Sequence, residues 1–209
     1  TAPRAMRNGI IVTVLFACLI GSALLFYAGW ELIIVGLLCI LFAFLYTTGP
    51  YPLSYNGWGD VLVIVFFGFV PVGGTYYVQA LTWTSDTTVA SLICGLLIDT
   101  LLVVNNYRDR EADARSGKRT VIVRFGEKFG RYLYLMLGVA ASLLCFWFFF
   151  EGHLFAALLP LLYLIPHVLT WRRMVQIHSG KKLNSILGDT SRNMLLMGIL
   201  LSIGFLIRH

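Results

Sequence analysis

Seven stretches of nearly unbroken apolar residues constrain this chain more than any other feature. They run Gly9–Tyr27, Glu31–Tyr46, Val61–Leu81, Thr87–Asn105, Tyr132–Phe150, Leu154–Trp171 and Met194–Ile207. A helix needs about 20 predominantly apolar residues to cross the hydrocarbon core of a bilayer. Strands of a membrane barrel would instead alternate apolar and polar residues in segments of about ten. The run Leu143–Phe150 is continuously apolar and does not alternate. The expected architecture is therefore all-α, a polytopic transmembrane helical bundle of seven spans forming one domain over residues 1–209.

Composition agrees. The chain is 58% hydrophobic and 12% charged, with a mean hydropathy of +0.81, whereas soluble domains carry roughly 25% charged residues. Disorder would need the opposite balance. Cys18, Cys39, Cys94 and Cys145 stand singly within spans, without the spacing of a disulfide framework or a metal site, and read as packing residues. The four histidines form no i,i+4 pair, and no chemistry is assigned to them. The first apolar run is too long for a cleavable signal peptide.

The net charge of +6 raises the question of a polyanionic partner. The position of the basic residues answers it. Arg4 and Arg7 precede the first span; Arg108, Arg110, Arg115, Lys118, Arg119, Arg124, Lys128 and Arg131 lie between the fourth and fifth. Arg172, Arg173, Lys181, Lys182 and Arg192 lie between the sixth and seventh, and only Arg208 falls on the other side. With seven spans these three regions share one face, which the positive-inside rule makes cytoplasmic. Trp30 and Trp83 then sit at the outer rim and Trp171 at the inner one. The basic excess marks orientation, and no nucleic-acid partner is expected.

Connections on the outer face are short, while those on the inner face are longer and polar, which is where function concentrates. The richest is the segment 105–131. If the fourth helix continues to Asp113, then Asn106, Asp109 and Asp113 fall at i, i+3 and i+7 on one helix face. Two carboxylates one turn apart, with an amide oxygen beside them, are hard ligands for Mg²⁺, which is usually held by one or two carboxylates together with substrate phosphates. Lys118 and Arg119, beyond the bend at Gly117, suit phosphate oxygens. The composition reads as a diphosphate–metal site. A solvated cytoplasmic connection of mixed charge is the plainer alternative, weakened by the paired amides Asn105 and Asn106 at the end of an apolar helix.

Asp99 lies within the fourth span, seven residues before Asn106 and on the same face. An intramembrane carboxylate marks a cavity or pathway; the alternative is a protonated group bonded to Thr100 or to a tyrosine of a neighbouring helix. In the third span Gly68, Pro71, Gly73 and Gly74 disfavour a regular helix, and Thr75, Tyr76, Tyr77 and Gln79 add hydrogen-bonding groups. The inner-face loop Thr47–Asp60 is rich in turn residues and tyrosines.

The order of residues Val103-Val104-Asn105-Asn106-Tyr107-Arg108-Asp109, then Asp113, Gly117-Lys118-Arg119-Thr120-Val121 and Arg124-Phe125-Gly126, closely resembles the second Asp-rich motif of UbiA-type intramembrane prenyltransferases. More narrowly it is similar to the 1,4-dihydroxy-2-naphthoate polyprenyltransferases of menaquinone biosynthesis. Tyr46–Leu53, Phe67-Gly68 with Pro71, Gly74–Tyr77 and Leu183-Asn184 are similar to that family too. The resemblance implies nine helices and a first Asp-rich motif after the second of them. This chain carries seven spans and no such motif, and Thr1–Met6 reads as the tail of that first loop.

The resemblance further implies Mg²⁺-dependent transfer of a polyprenyl group from its diphosphate to dihydroxynaphthoate, with loss of diphosphate and CO₂, giving demethylmenaquinone at a bacterial cytoplasmic membrane. It assigns Asp109 and Asp113 to Mg²⁺, with Asn105 or Asn106 in support and Asn106 the amide metal ligand. Lys118 and Arg119 contact diphosphate, with Arg108 as a further candidate, while Tyr51, Tyr76 and Asp99 border the chamber. Another aromatic acceptor such as 4-hydroxybenzoate, or a non-catalytic scaffold of the same fold, are the competing readings. A transporter would show broken helices paired between two related halves, a pattern absent here.

Overall fold

The computed structural model describes residues 3–207. Thr1, Ala2, Arg208 and His209 lie outside the described residues, and with them the one basic residue expected on the outer face and the start of the Thr1–Met6 segment. Among the described residues there is no strand. Seven long apolar helices form the bundle: α1 (Pro3–Ala28), α2 (Glu31–Thr47), α3 (Gly59–Ala80) and α4 (Ser85–Arg115). After a short α5 (Val121–Phe125) come α6 (Glu127–Phe150), α7 (Leu154–Ile177) and α8 (Lys181–Leu206). All but α2, with its 17 residues, have at least 22.

Three helices run well past their apolar stretches at one end of the bundle. α4 reaches Arg115 rather than Asn105, α7 reaches Ile177, and α8 begins at Lys181 rather than Met194. Hydropathy alone misses these turns because their polar groups are paired. On α8, Asp189 takes Arg173 of α7 and, at 3.1 Å, Arg192. At 31 residues, α4 is roughly 46 Å long against a hydrocarbon core of about 30 Å, so its last turns project beyond the apolar layer. Its start is set by Thr84, whose hydroxyl accepts the Thr87 amide at 3.2 Å.

α4 is the central element. It contributes Val103, Val104 and Tyr107 to a core half built with Ile122, Tyr134, Met174, Leu183 and Ile186. It contributes Ile93 and Leu97 to the other half, with Phe148, Ala156, Tyr163 and Met197. Between α6, α7 and α8 the buried polar groups are satisfied: Tyr163 and His167 share a hydrogen bond of 2.9 Å, and Asn193 donates to Thr170 at 2.9 Å. α1 by contrast has almost its whole described length exposed, as a lipid-facing or partner-facing helix does.

The third span is not broken at its proline. α3 continues as a π-helix over Ile64–Gly73 with Pro71 inside it. The wider turn accommodates a residue that lacks an amide hydrogen and whose ring crowds the preceding turn. This stretch meets α4 backbone to backbone. A Cβ added to Gly95 would stand 2.9 Å from the Cα of Ile64, and one added to Gly68 would stand 2.8 Å from the Cα of Gly95. Small residues allow this approach, as is common where membrane helices pack closely.

Gly95→Val should destabilise the protein by about 1–3 kcal/mol through overpacking. Gly198→Ala, where a Cβ meets nothing within 4 Å, should be neutral. Thermal unfolding in detergent checks both; equal midpoints for the two variants would remove the seam from the account.

Candidate active site

The polar end gathers the tip of α4, the loop before α3, α5, and the adjoining ends of α6, α7 and α8. The helix does continue through Asp113, so Asn106, Asp109 and Asp113 share one face of α4. Each carboxylate already has a cation beside it. Arg108 donates Nε to Asp109 Oδ1 at 2.7 Å and Nη2 to Oδ2 at 2.6 Å. Lys118 Nζ lies 3.3 Å from Asp113 Oδ2, brought back by the turn at Gly117, whose φ of +77° favours glycine. Asp109 is 39% exposed and Asp113 13%, so one carboxylate opens to solvent and the other is half sheltered.

The two asparagines diverge. Asn105 Oδ1 accepts Arg108 Nη2 at 2.7 Å. Asn106 is 3% exposed, and its Oδ1 has no hydrogen-bond partner. It lines a cavity of about 10 Å³ with Tyr46, Ser54, Asp60, Lys118 and Thr120, room for about one water.

Asp60 is the residue that sequence reasoning missed. It opens α3 immediately after the turn-rich loop, and its Oδ1 is buried without a partner. Asp99, 1% exposed, is likewise unpartnered at Oδ1. Thr100 does not satisfy it, donating instead to the Leu97 carbonyl at 2.5 Å. The signal for Asp60 in the sequence was a carboxylate abutting an apolar span, a position equally open to a solvated one.

Arg119 is tied down by its backbone. Its amide donates to the Tyr55 carbonyl at 2.7 Å, while Arg124 donates to the Arg119 carbonyl at 3.1 Å and the Asn56 carbonyl at 2.7 Å. Gly57 has a φ of +82°, and a Cβ there would stand 3.0 Å from that Arg119 carbonyl, so the turn favours glycine. The Arg119 side chain is exposed at this edge. Tyr51 is exposed on the same loop. Tyr76 is exposed as well but stands sixteen residues beyond Asp60 along α3, roughly 24 Å of helix rise. The structure does not bring it to the carboxylates.

A second network braces the α4 tip. Glu127 accepts Arg110 at 3.0 Å and pairs with Arg131, and His178 Nε2 lies 3.0 Å from its carboxylate. Arg131 donates in turn to the hydroxyl of buried Tyr107 at 2.9 Å, and Arg110 lies over the Tyr107 ring, 4.5 Å from its centre. Three helix ends are thereby joined at one carboxylate.

The donor set at Asp109 and Asp113 is hard oxygen, which fits Mg²⁺. No group of three or more His, Cys, Asp or Glu able to hold a metal gathers among the described residues. A metal here therefore needs water or substrate oxygens to complete its coordination. Away from this end, α1, α2 and the second half of α3 border an open apolar cleft of about 750 Å³, lined by Leu25, Gly36, Val70 and Val78 among others.

Comparison with known proteins converges on one family. The model of the UbiA prenyltransferase family matches residues 3–202. The chain is 36% identical to the 1,4-dihydroxy-2-naphthoate octaprenyltransferase of Haemophilus influenzae, over 98% of this chain and 68% of that protein. It is 39% identical to the protein of the same name from Escherichia coli, over 67% of this chain and 47% of that protein. For Mycobacterium leprae the figures are 40%, 68% and 48%. The chain thus spans about half the length of the latter two relatives. No solved structure matches it significantly. With the family model covering nearly its whole length, the chain belongs to the UbiA prenyltransferase family.

Proposed function

We propose that this chain carries the second metal-binding half of an aromatic prenyltransferase that moves a polyprenyl group from its diphosphate to 1,4-dihydroxy-2-naphthoate. The observation that carries the reading is the pair Asp109 and Asp113 on one face of the α4 tip, with Arg108 paired to the first and Lys118 to the second. The relatives' names supply the substrate class.

Asp109 and Asp113 would hold Mg²⁺, with Asn106 bordering them on the same face. When bound, the metal supplies positive charge that stabilises the departing diphosphate. Lys118, Arg119 and Arg108 bind diphosphate oxygens, and the apolar cleft takes part of the prenyl tail. The bond between the allylic carbon and the diphosphate oxygen breaks, leaving that carbon cationic. The bundle's apolar walls keep water from it. The ring carbon bearing the carboxylate then attacks. Loss of CO₂ returns the electron pair of its bond to the ring, giving the hydroquinone form of demethylmenaquinone. The bias of basic residues supports placing this end at the cytoplasmic face of a bacterial inner membrane.

Membranes expressing the protein should transfer radiolabelled prenyl groups to dihydroxynaphthoate in preference to 4-hydroxybenzoate, and chelating Mg²⁺ should stop transfer. Inactivity with every polyprenyl diphosphate tried would refute the assignment. Asp109→Ala and Asp113→Ala should each lower the rate at least about a hundredfold, beyond the loss usual for residues that only support a metal ligand. Near-normal rates in both variants would remove them from the metal site.

A further inference from the structure

Arg108 has five N–H donors, and the structure accounts for four of its contacts. The Nε and Nη2 edge forks onto Asp109, Nη2 also reaches Asn105 Oδ1 at 2.7 Å, and Nη1 donates to Asn184 Oδ1 at 3.0 Å. Asn105 and Asp109 belong to the same helix as Arg108 and move with it. Asn184 does not. It stands at the start of α8, directly after Leu183, which is fully buried in the core with Val103, Met174 and Ile186. Leu183 anchors the backbone beside the amide, and among the described residues Asn184 is the contact that holds the guanidinium from outside α4.

We infer that Asn184 is a positioning residue, which holds Arg108 in place as a diphosphate clamp. The inference rests on the prenyltransferase reading above. Without metal, the guanidinium neutralises Asp109. A cation taking that carboxylate frees the planar Nε and Nη2 edge, whose geometry suits two phosphate oxygens at once. Released from Asp109 alone, a long arginine would regain rotamer freedom that binding must then remove. Held at Nη1 by Asn184 and at Nη2 by Asn105, it keeps its station and presents the freed edge to the incoming diphosphate.

The test uses the purified protein in detergent, with Mg²⁺ present. Binding of inorganic diphosphate is measured by titration calorimetry, and KM and kcat for the polyprenyl diphosphate by prenyl transfer. Asn184→Leu should weaken both diphosphate binding and KM about tenfold, the size of one hydrogen bond to a charged group, while kcat and the thermal midpoint stay near wild type. Asn184→Asp, which keeps the acceptor, should restore both. In an Arg108→Gln background Asn184→Leu should add nothing, because the amide acts only through the guanidinium. Unchanged binding in Asn184→Leu, an equally impaired Asn184→Asp, or a full further loss in the Arg108→Gln background would each overturn the inference. Those results in a protein that still transfers prenyl groups leave the proposed function standing. A wild-type protein that binds no diphosphate overturns both.

Discussion

The structure depends on how closely α3 and α4 approach each other. Gly68 and Gly95 bring the two backbones into direct contact, while backbone bonds from Arg119 to Tyr55 and from Arg124 to Asn56 hold the Thr47–Asp60 loop at the same end as the α4 tip. In lipid there is little hydrophobic drive for helices to associate, so close packing of small residues has to supply it. The π-helical stretch of α3 belongs to the same arrangement. It carries Pro71 through the contact with no break in the helix, leaving α3 continuous from the polar end to the apolar cleft.

At the polar end the charges are organised more than they are stabilising. Pairs as exposed as those of Glu127, Arg173 and Asp189 contribute about 0–1 kcal/mol each. Their effect is geometric: Glu127 joins the ends of α4, α6 and α7, and Asp189 joins α7 to α8. The tip of α4 is tied to α6 through Glu127 and Arg131 and to α8 through Asn184 where it leaves the apolar layer. Its two carboxylates are offered with a resident cation beside each, an arrangement that leaves no bare pair of negative charges when metal and substrate are absent. Beneath them the oxygens of Asp60, Asp99 and Asn106 lie buried without donors, a cost that proteins accept mainly where function requires it.

Much of this was legible in the residues. Apolar length gave all seven spans, and the asymmetry of Lys and Arg distinguished the two ends. The i, i+3, i+7 spacing places Asn106, Asp109 and Asp113 on one helix face. Helix ends were less legible, because the turns of α4, α7 and α8 beyond the apolar stretches are held by ion pairs between distant residues. Asn105 and Asn106 are adjacent and chemically identical in sequence, yet one binds Arg108 and the other faces a buried cavity. Tyr76 shared a motif with the site but lies far along α3 from it.

The sequence by itself determined that the chain spans a membrane as helices, which end carries the polar groups, and which carboxylates lie together on α4. These follow from local rules, namely the number of apolar residues per span and the fixed 3.6-residue repeat. Only the tertiary structure decided that Asp60 joins the site, that Asn184 reaches Arg108 from 76 residues away, and that Glu127 ties three helices together. Those contacts depend on the distance and rotation between helices. Both are set by side-chain packing across the glycine seam and the buried core, and no periodicity within a single helix encodes them.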